Sequence, residues 1–382
     1  MVKKWLVVIM LGALAVLASC GNIAGSSDST QKELSSDALK GASFTFFDIG
    51  QGDSTLIQAD DGTTILIDTG RQDDFRILDL LREKGVKQID LLLLTHPHAD
   101  HIGNADKVIQ NFKPKEIWMD GLEFNSSTYE KVIDAALASK AKYKEPRRGD
   151  KAQFGPFHLT VLSPDKLSND ANNDSIAVRL TYKDIAAVFT GDAEKGREKE
   201  MIDSGLALDA DILDLGHHGS STSNQPAFLD KVKPQVAVYS AEKGNSYGHP
   251  HVEVLAWLKE RNIDTYGTDV NGTVEITTDG TKLHVATEKE GEPKSGSSYR
   301  MSRETKQKST TEEAKNEEMP TSINLNTASA QDLQFLPLIG PELAEKIIAN
   351  RPYSSIDDLK RIDGIGKGIV RQIKEQGLAV TK

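Results

Sequence analysis

Cysteine is all but missing from this chain of 382 residues: Cys20 stands alone, which excludes a disulfide framework and any thiolate-held metal cluster. Aromatic residues are few, at 6%, and outside the extreme N-terminus no apolar run approaches the roughly 18 residues of a membrane span. A polytopic membrane protein is thereby excluded. Nor does the chain carry the positive charge of a general polyanion binder, because 46 Lys and Arg face 57 Asp and Glu, for a net charge of -11. Any nucleic-acid contact must come from a local patch acting within the roughly 8 Å screening length of physiological salt. With 38% hydrophobic residues the chain is too apolar for disorder, and its length suits one large and one small domain.

The lone cysteine has a context. Lys3 and Lys4 precede an apolar stretch from Trp5 to Val16, and Leu17-Ala18-Ser19-Cys20 closes it. This is the order of a secretory signal. It also resembles a bacterial lipobox, which implies a diacylglyceryl anchor on Cys20 and an extracytoplasmic protein held to the cell membrane by lipid. Residues 1–20 therefore read as a lipoprotein signal peptide, and residues 21–41, rich in Ser, Asp and Ala, as a flexible tether.

Residues 42–287 predict a mixed α/β domain. Short β-rich pieces begin at Phe44, Thr55, Thr64 and Ile89, with later strands over His158–Leu162, Ile176–Tyr182, Ile185–Phe189, Ile212–Leu215, Val236–Ser240, Val274–Thr277 and Leu283–Ala286. Helical patterns occupy Asp74–Lys84, Asn104–Phe112, Ser126–Ser139 and Glu194–Asp203. The strongest chemical signal is Thr95-His96-Pro97-His98-Ala99-Asp100-His101, directly after the leucine run that ends at Leu94. Imidazoles and a carboxylate so closely spaced converge on one point only if the chain turns around it, and a divalent metal is the economical reason for that turn. Zinc suits such ligands best, with manganese or iron as alternatives. His158, in an alternating strand, reads as structural, and Asp53 and Ser54 as turn formers as readily as site residues.

The motif H-x-H-x-D-H resembles the signature of the metallo-β-lactamase superfamily, which implies an αββα sandwich with metals at one edge. The likeness extends through Phe47-Asp48-Ile49-Gly50-Gln51-Gly52-Asp53, Ile67-Asp68-Thr69-Gly70, Phe189-Thr190-Gly191-Asp192-Ala193-Glu194, Gly216-His217-His218-Gly219-Ser220 and Tyr247-Gly248-His249-Pro250-His251, in the order found in the hydrolase domain of ComEC-type competence proteins. The resemblance implies His96 and His98 on a first metal, Asp100 and His101 on a second, Asp192 bridging both and His249 completing the second site. One or two ions are expected, because Asn172-Asn173-Asp174-Ser175 stands where the superfamily usually offers a further histidine. Asp68 is expected to orient a ligand histidine. One of His217 and His218 is expected to protonate a leaving oxygen or contact phosphate, with the other turned into the core, and His251 is not expected to be a ligand.

After Glu288 composition shifts to Lys, Glu, Ser and Thr, so residues 288–320 read as a disordered linker. Residues 321–382 hold two glycine hairpins, at Leu336-Pro337-Leu338-Ile339-Gly340-Pro341 and Ile362-Asp363-Gly364-Ile365-Gly366-Lys367-Gly368. They resemble the tandem helix-hairpin-helix of ComEA-type DNA receptors, a small all-α domain. The resemblance implies phosphate contacts at Gly364, Gly366, Lys367, Gly368 and Arg371, with Gly340 in the hairpin that lacks a glycine at Leu338. The function expected is a membrane-anchored, metal-dependent phosphodiesterase or nuclease acting on DNA in uptake or processing, with a competence-machinery partner. The alternatives are a hydrolase of a cell-surface phosphodiester, such as a teichoic-acid or choline-phosphate ester, and a non-enzymatic DNA-capture lipoprotein.

Overall fold

The structure, a computed structural model, describes residues 41–296, 322–333, 336, 339, 341–362 and 365–381. The signal segment with Cys20, the tether up to residue 40, residues 297–320 of the linker, Gly340, Gly364 and the side chain of Lys367 lie outside what is described.

Two sheets carry the large domain. The first has eight strands in the order β15-β14-β1-β2-β3-β4-β5-β6, formed by Leu283–Thr287, Val274–Thr278, Ala42–Phe46, Thr55–Ala59, Thr64–Ile67, Leu91–Leu93, Glu116–Trp118 and Lys142–Lys144. The second has seven in the order β13-β12-β11-β10-β9-β8-β7, formed by Asp264–Gly267, Val236–Tyr239, Ile212–Asp214, Ile185–Phe189, Ala177–Tyr182, Phe157–Ser163 and Lys151–Phe154. Each sheet is part antiparallel and part parallel: β3 to β6 run parallel in one, β10 to β13 in the other.

The leucine run shows why the sheets stack as they do. Side chains alternate across a strand, so Leu91 and Leu93 enter the core between the sheets while Leu92 and Leu94 pack under helices on the outer face. Strand β10 repeats the pattern, with Ile185, Ala187 and Phe189 inward and Ala186 and Val188 outward. Across the interior, Phe46 stacks on Phe189 with ring centroids 6.4 Å apart. Helices Arg76–Glu83, Ala105–Phe112 and Ser127–Ala138 cover one outer face, and Lys195–Asp203, Pro226–Val232 and Val252–Glu260 the other. The result is the αββα sandwich expected from the sequence. The strands that periodicity did not show, β5, β6, β7 and β13, are three or four residues long, and β6 and β7 are edge strands with exposed lysines.

The linker begins later than its composition indicates. Asn271 Nδ2 donates to the Lys289 and Gly291 carbonyls, and Gly296 N donates to the Pro250 carbonyl, so polar bonds hold residues 288–296 against the domain. Composition registers apolar anchors and misses an attachment of this kind.

The C-terminal unit has its own core, including Ile323, Leu325, Leu333, Ile347, Tyr353, Leu359 and Ile373. Ile323–Asn324 and Ala379–Val380 pair in parallel and bring its two ends together. Between them lie helices Ala330–Leu333, Pro341–Ala349 and Lys367–Gln376 and the 3-10 turn Ile356–Arg361.

Phe189→Ala, which opens a cavity between the sheets, is expected to cost about 3–5 kcal/mol of stability, against about 0.5 kcal/mol or less for Leu137→Ala on the solvent side. Urea titration followed by tryptophan fluorescence measures both. Equal midpoints would contradict the assignment of Phe189 to the central core.

Candidate metal centre

The parallel strands deliver the site, since the loops leaving their carboxyl ends gather at one edge of the sandwich. Strand β3 leads into Asp68, β4 into Thr95–His101, β10 into Asp192, β11 into His217 and His218, and β12 into Ser240 and the loop to His249. Two glycines let these loops close on each other. Gly191 has φ +51, and an added Cβ would sit 2.9 Å from the Thr95 Cβ; Gly52 has φ +157, and an added Cβ would meet the Asp100 carbonyl oxygen at 2.5 Å. The close approach at Gly52 lets Asp53 N donate to that carbonyl at 3.2 Å.

Among the described residues, two groups of side chains converge. One ligand atom from each of His96, His98 and Asp192 lies within 4.8 Å of the others, and the same is true of Asp53, His101, Asp192 and His218. Asp192 belongs to both. The outer nitrogens are held by other groups: His101 Nδ1 bonds Asp68 Oδ2 at 2.8 Å, and His218 Nδ1 bonds the Ser240 carbonyl at 3.0 Å. Asp68 is itself fixed by the Thr95 amide and hydroxyl, at 2.8 and 2.7 Å. The inward atoms, His101 Nε2, His218 Nε2, Asp192 Oδ1 and Asp53 Oδ1, are buried without a hydrogen-bond partner. Orphaned donor atoms of one chemistry pointing at a common centre are what a hard or borderline divalent cation requires.

The metallo-beta-lactamase superfamily model matches residues 47–242, just over half of the 382-residue chain and including all of these residues. The chain belongs to the metallo-beta-lactamase superfamily. A helix-hairpin-helix motif model matches residues 320–376. ComE operon protein 3 of Bacillus subtilis is 34% identical over 247 residues, covering 60% of this chain and 32% of that protein. A Thioalkalivibrio protein named deoxyribonuclease is 47% identical over 57 residues, covering 15% of this chain and 16% of its own, and ComE operon protein 1 of Bacillus subtilis is 38% identical over 56 residues, covering 14% and 27%. The chain spans about a third or less of the length of the competence relatives that its larger domain matches.

The fold and the buried cluster together imply divalent metal ions in this metallo-beta-lactamase centre. Charge is distributed unevenly around it. Burial lowers His96 and His98, and the charge on His101 adds to this, so both rings stay neutral with a lone pair to offer. Burial acts the same way on His101 and His218, but carboxylates outweigh it. Asp192 and Asp68 hold His101 well above the ordinary histidine range, and Asp53 and Asp192 do so for His218. Asp192, which burial alone would raise, is carried well below the usual carboxylate range by His101, His217, His96 and His218.

The structure places Asp53 and His218 in the second group, where Asp100 and His249 were expected. Asp100 lies in the short helix Ala99–Ile102 with a third of its side chain exposed, and its Oδ2 stands 3.3 Å from His218 Nε2. His249 is buried but set back, its backbone pinned by Asn245 and its ring 6.0 Å from that of His218; burial and then the neighbouring imidazoles push it down to about 2. Neither of the paired histidines turns into the apolar core. Both have left-handed backbones, φ 54 and 57, which break the strand alternation and bring both rings to the cluster. His217 is partly exposed, with Nε2 3.7 Å from Asp192 Oδ2 and Nδ1 3.1 Å from Thr222 Oγ1. His158 lies exposed on β8, outside both groups.

Asp53, open from sequence between a turn former and a site residue, joins the second group, and its place after Gly50-Gln51-Gly52 was the available signal. The segment 172–175 brings no imidazole. Ser175 Oγ accepts from the Asp192 amide at 3.1 Å, and buried Asp174 pairs with Arg197 at 2.9 Å, so this stretch fixes Asp192 instead. His251 is no ligand either: its Nδ1 accepts from Ser221 N at 3.0 Å and its Nε2 faces the Tyr247 carbonyl at 3.2 Å.

Asp192 and Asp68 beside His101, and Asp53 and Asp192 beside His218, hold both rings well above the ordinary histidine range and so favour the protonated form, which a cation at Nε2 must displace; binding is expected to release protons and to weaken as pH falls. Calorimetry of the metal-depleted chain in buffers of different ionisation enthalpy counts them. A heat independent of the buffer would contradict the charge distribution described.

Proposed function

We propose that this metal-dependent hydrolase is a phosphodiesterase that cuts DNA held by its C-terminal module, and that it works outside the cytoplasm on a lipid anchor at Cys20. The reading rests above all on Asp192, one buried carboxylate shared by two groups of imidazoles, the pattern suited to a two-cation clamp on a phosphodiester. In it, His96, His98 and Asp192 would hold one ion and Asp53, His101, Asp192 and His218 the other, and zinc or manganese would meet the donor set. Such ions, when bound, polarise a phosphoryl oxygen and supply an activated water. The side chains do the rest. Asp68 and the Ser240 carbonyl keep the His101 and His218 rings aimed inward. In this reading His217, partly exposed and braced by Thr222, gives a proton to the leaving oxygen. Asp100, beside His218, accepts from substrate or water at the mouth of the site.

The C-terminal module supports DNA as the substrate. Gly366 caps the helix Lys367–Gln376 with no side-chain bond, and a Cβ at Gly366 or Gly368 would meet open space, so the backbone amides there are accessible to a phosphate. Part of the surrounding positive charge is offset locally: Lys360 and Lys374 share Asp357, at 2.6 and 2.5 Å, while Arg361 keeps its charge and donates to the Asn350 and Pro352 carbonyls. Weak, salt-sensitive and sequence-independent binding follows. The names of the relatives, a deoxyribonuclease and two com operon proteins, favour the same substrate and a competence partner.

The chain from Gly21 onward, loaded with manganese or zinc, is expected to fragment DNA, and His98→Ala or Asp192→Ala to abolish this. Lys367→Glu is expected to weaken DNA binding and reduce the slope of log affinity against log salt by about one. Metal analysis identifies the ion. Cleavage of small phosphodiesters that ignores deletion of residues 321–382 would point to a cell-surface ester, and binding without cleavage to a capture protein.

Among the described residues no helix is long and apolar enough to cross a membrane; in this reading the attachment is the lipid on Cys20. Cys20→Ser is expected to move the protein from the membrane fraction to the soluble extracytoplasmic fraction; unchanged fractionation counts against the anchor.

A further inference from the structure

Five large apolar side chains are exposed among the described residues, and two of them, Tyr247 at 58% and Val252 at 61%, flank the His249-Pro250-His251 turn beside the metal centre. An exposed ring on a loop is ordinarily loosely held. Here the backbone beneath it is fixed from both sides. Tyr247 N donates to Asn245 Oδ1 at 3.1 Å, and the Tyr247 carbonyl faces His251 Nε2 at 3.2 Å. Asn245 is itself tied to the Glu242 and His249 carbonyls, and His251 to the Ser221 amide and hydroxyl. The ring stacks on His249 with centroids 5.7 Å apart and planes 23° apart, and the His249 ring lies 5.6 Å from that of His217. Tyr247 thus ends a short series of rings running from the reactive edge to solvent, with its own surface left uncovered.

We propose that Tyr247 is a positioning residue on which an unpaired base next to the scissile phosphodiester stacks, so that the centre takes single-stranded nucleic acid in preference to duplex. This rests on the phosphodiesterase reading above. The physics is that of other single-strand sites: every base offers a π face, so an aromatic platform orders a strand without reading its sequence, while a duplex keeps its bases stacked on one another. A ring on a backbone fixed in advance, and already leaning on His249, loses less entropy when the base arrives than one on a loose loop. The position also suits the chemistry, because a base seated on Tyr247 brings its neighbouring phosphate towards His217 and Asp192.

The test uses the full chain from Gly21, loaded with manganese, as wild type, Tyr247→Ala and Tyr247→Phe. The substrates are a single-stranded oligonucleotide, the same strand with abasic sites and the blunt duplex; binding is read from the quenching of a single 2-aminopurine. Tyr247→Ala is expected to raise KM for the base-bearing single strand about tenfold with kcat within about twofold, to leave the abasic strand unaffected and to lose the quenching; Tyr247→Phe restores all three. Equal effects on base-bearing and abasic strands, or quenching that survives in Tyr247→Ala, overturn the proposal. If the wild type cleaves nothing, the phosphodiesterase reading falls by itself, and the quenching still decides whether a base sits on Tyr247.

Discussion

The centre depends on one carboxylate surrounded by imidazoles. Asp192 is almost fully buried, and a lone ion there would be costly, yet His96, His101, His217 and His218 face it and make the charged form the stable one. The geometry around it follows from that requirement. Gly191, left-handed and too close to Thr95 for a side chain, turns the chain so that the carboxylate faces the β4 loop. Ser175 and the Asp174–Arg197 pair hold the other side. A segment that lacks the histidine expected of it therefore serves the same centre by fixing the shared ligand.

The sandwich provides for this arrangement twice. Each sheet contributes a parallel portion whose carboxyl ends open at the same edge, so ligands far apart in sequence come from strands that are neighbours in space. Both faces of each central strand are buried, which makes the loops that carry the ligands start from rigid positions. The C-terminal module adds something different. Its helix start carries no side-chain cap and faces open space at Gly366 and Gly368. On the proposed function, covalent linkage would raise the local concentration of a strand held there, and weak binding would then suffice.

Several parts of the site were legible because they are local. His96, His98 and His101 stand within six residues after an apolar strand, and Asp68, in a motif of its own, bonds His101 Nδ1 at 2.8 Å. Asp53 and His218 were harder to see. A carboxylate after Gly50-Gln51-Gly52 has the composition of a turn, and one of two adjacent histidines ordinarily points away from its neighbour. Only the close approach at Gly52 and the left-handed pair His217-His218 bring both to the cluster. The basic cluster of the C-terminal unit misled in the opposite direction, since Asp357 pairs with two of its lysines.

The sequence by itself determined a mixed α/β domain and a close cluster of histidine and aspartate side chains without thiolates, which follow from alternation, local spacing and composition, each a property of a short stretch of chain. The αββα sandwich was implied by the resemblance of its motifs. Which carboxylate and which imidazole complete the second group, which basic side chains are already paired, and how far the first domain holds its own exit were decided only by tertiary structure. All three depend on distances between residues remote in sequence, set by where parallel strands end and by backbone turns that composition does not encode.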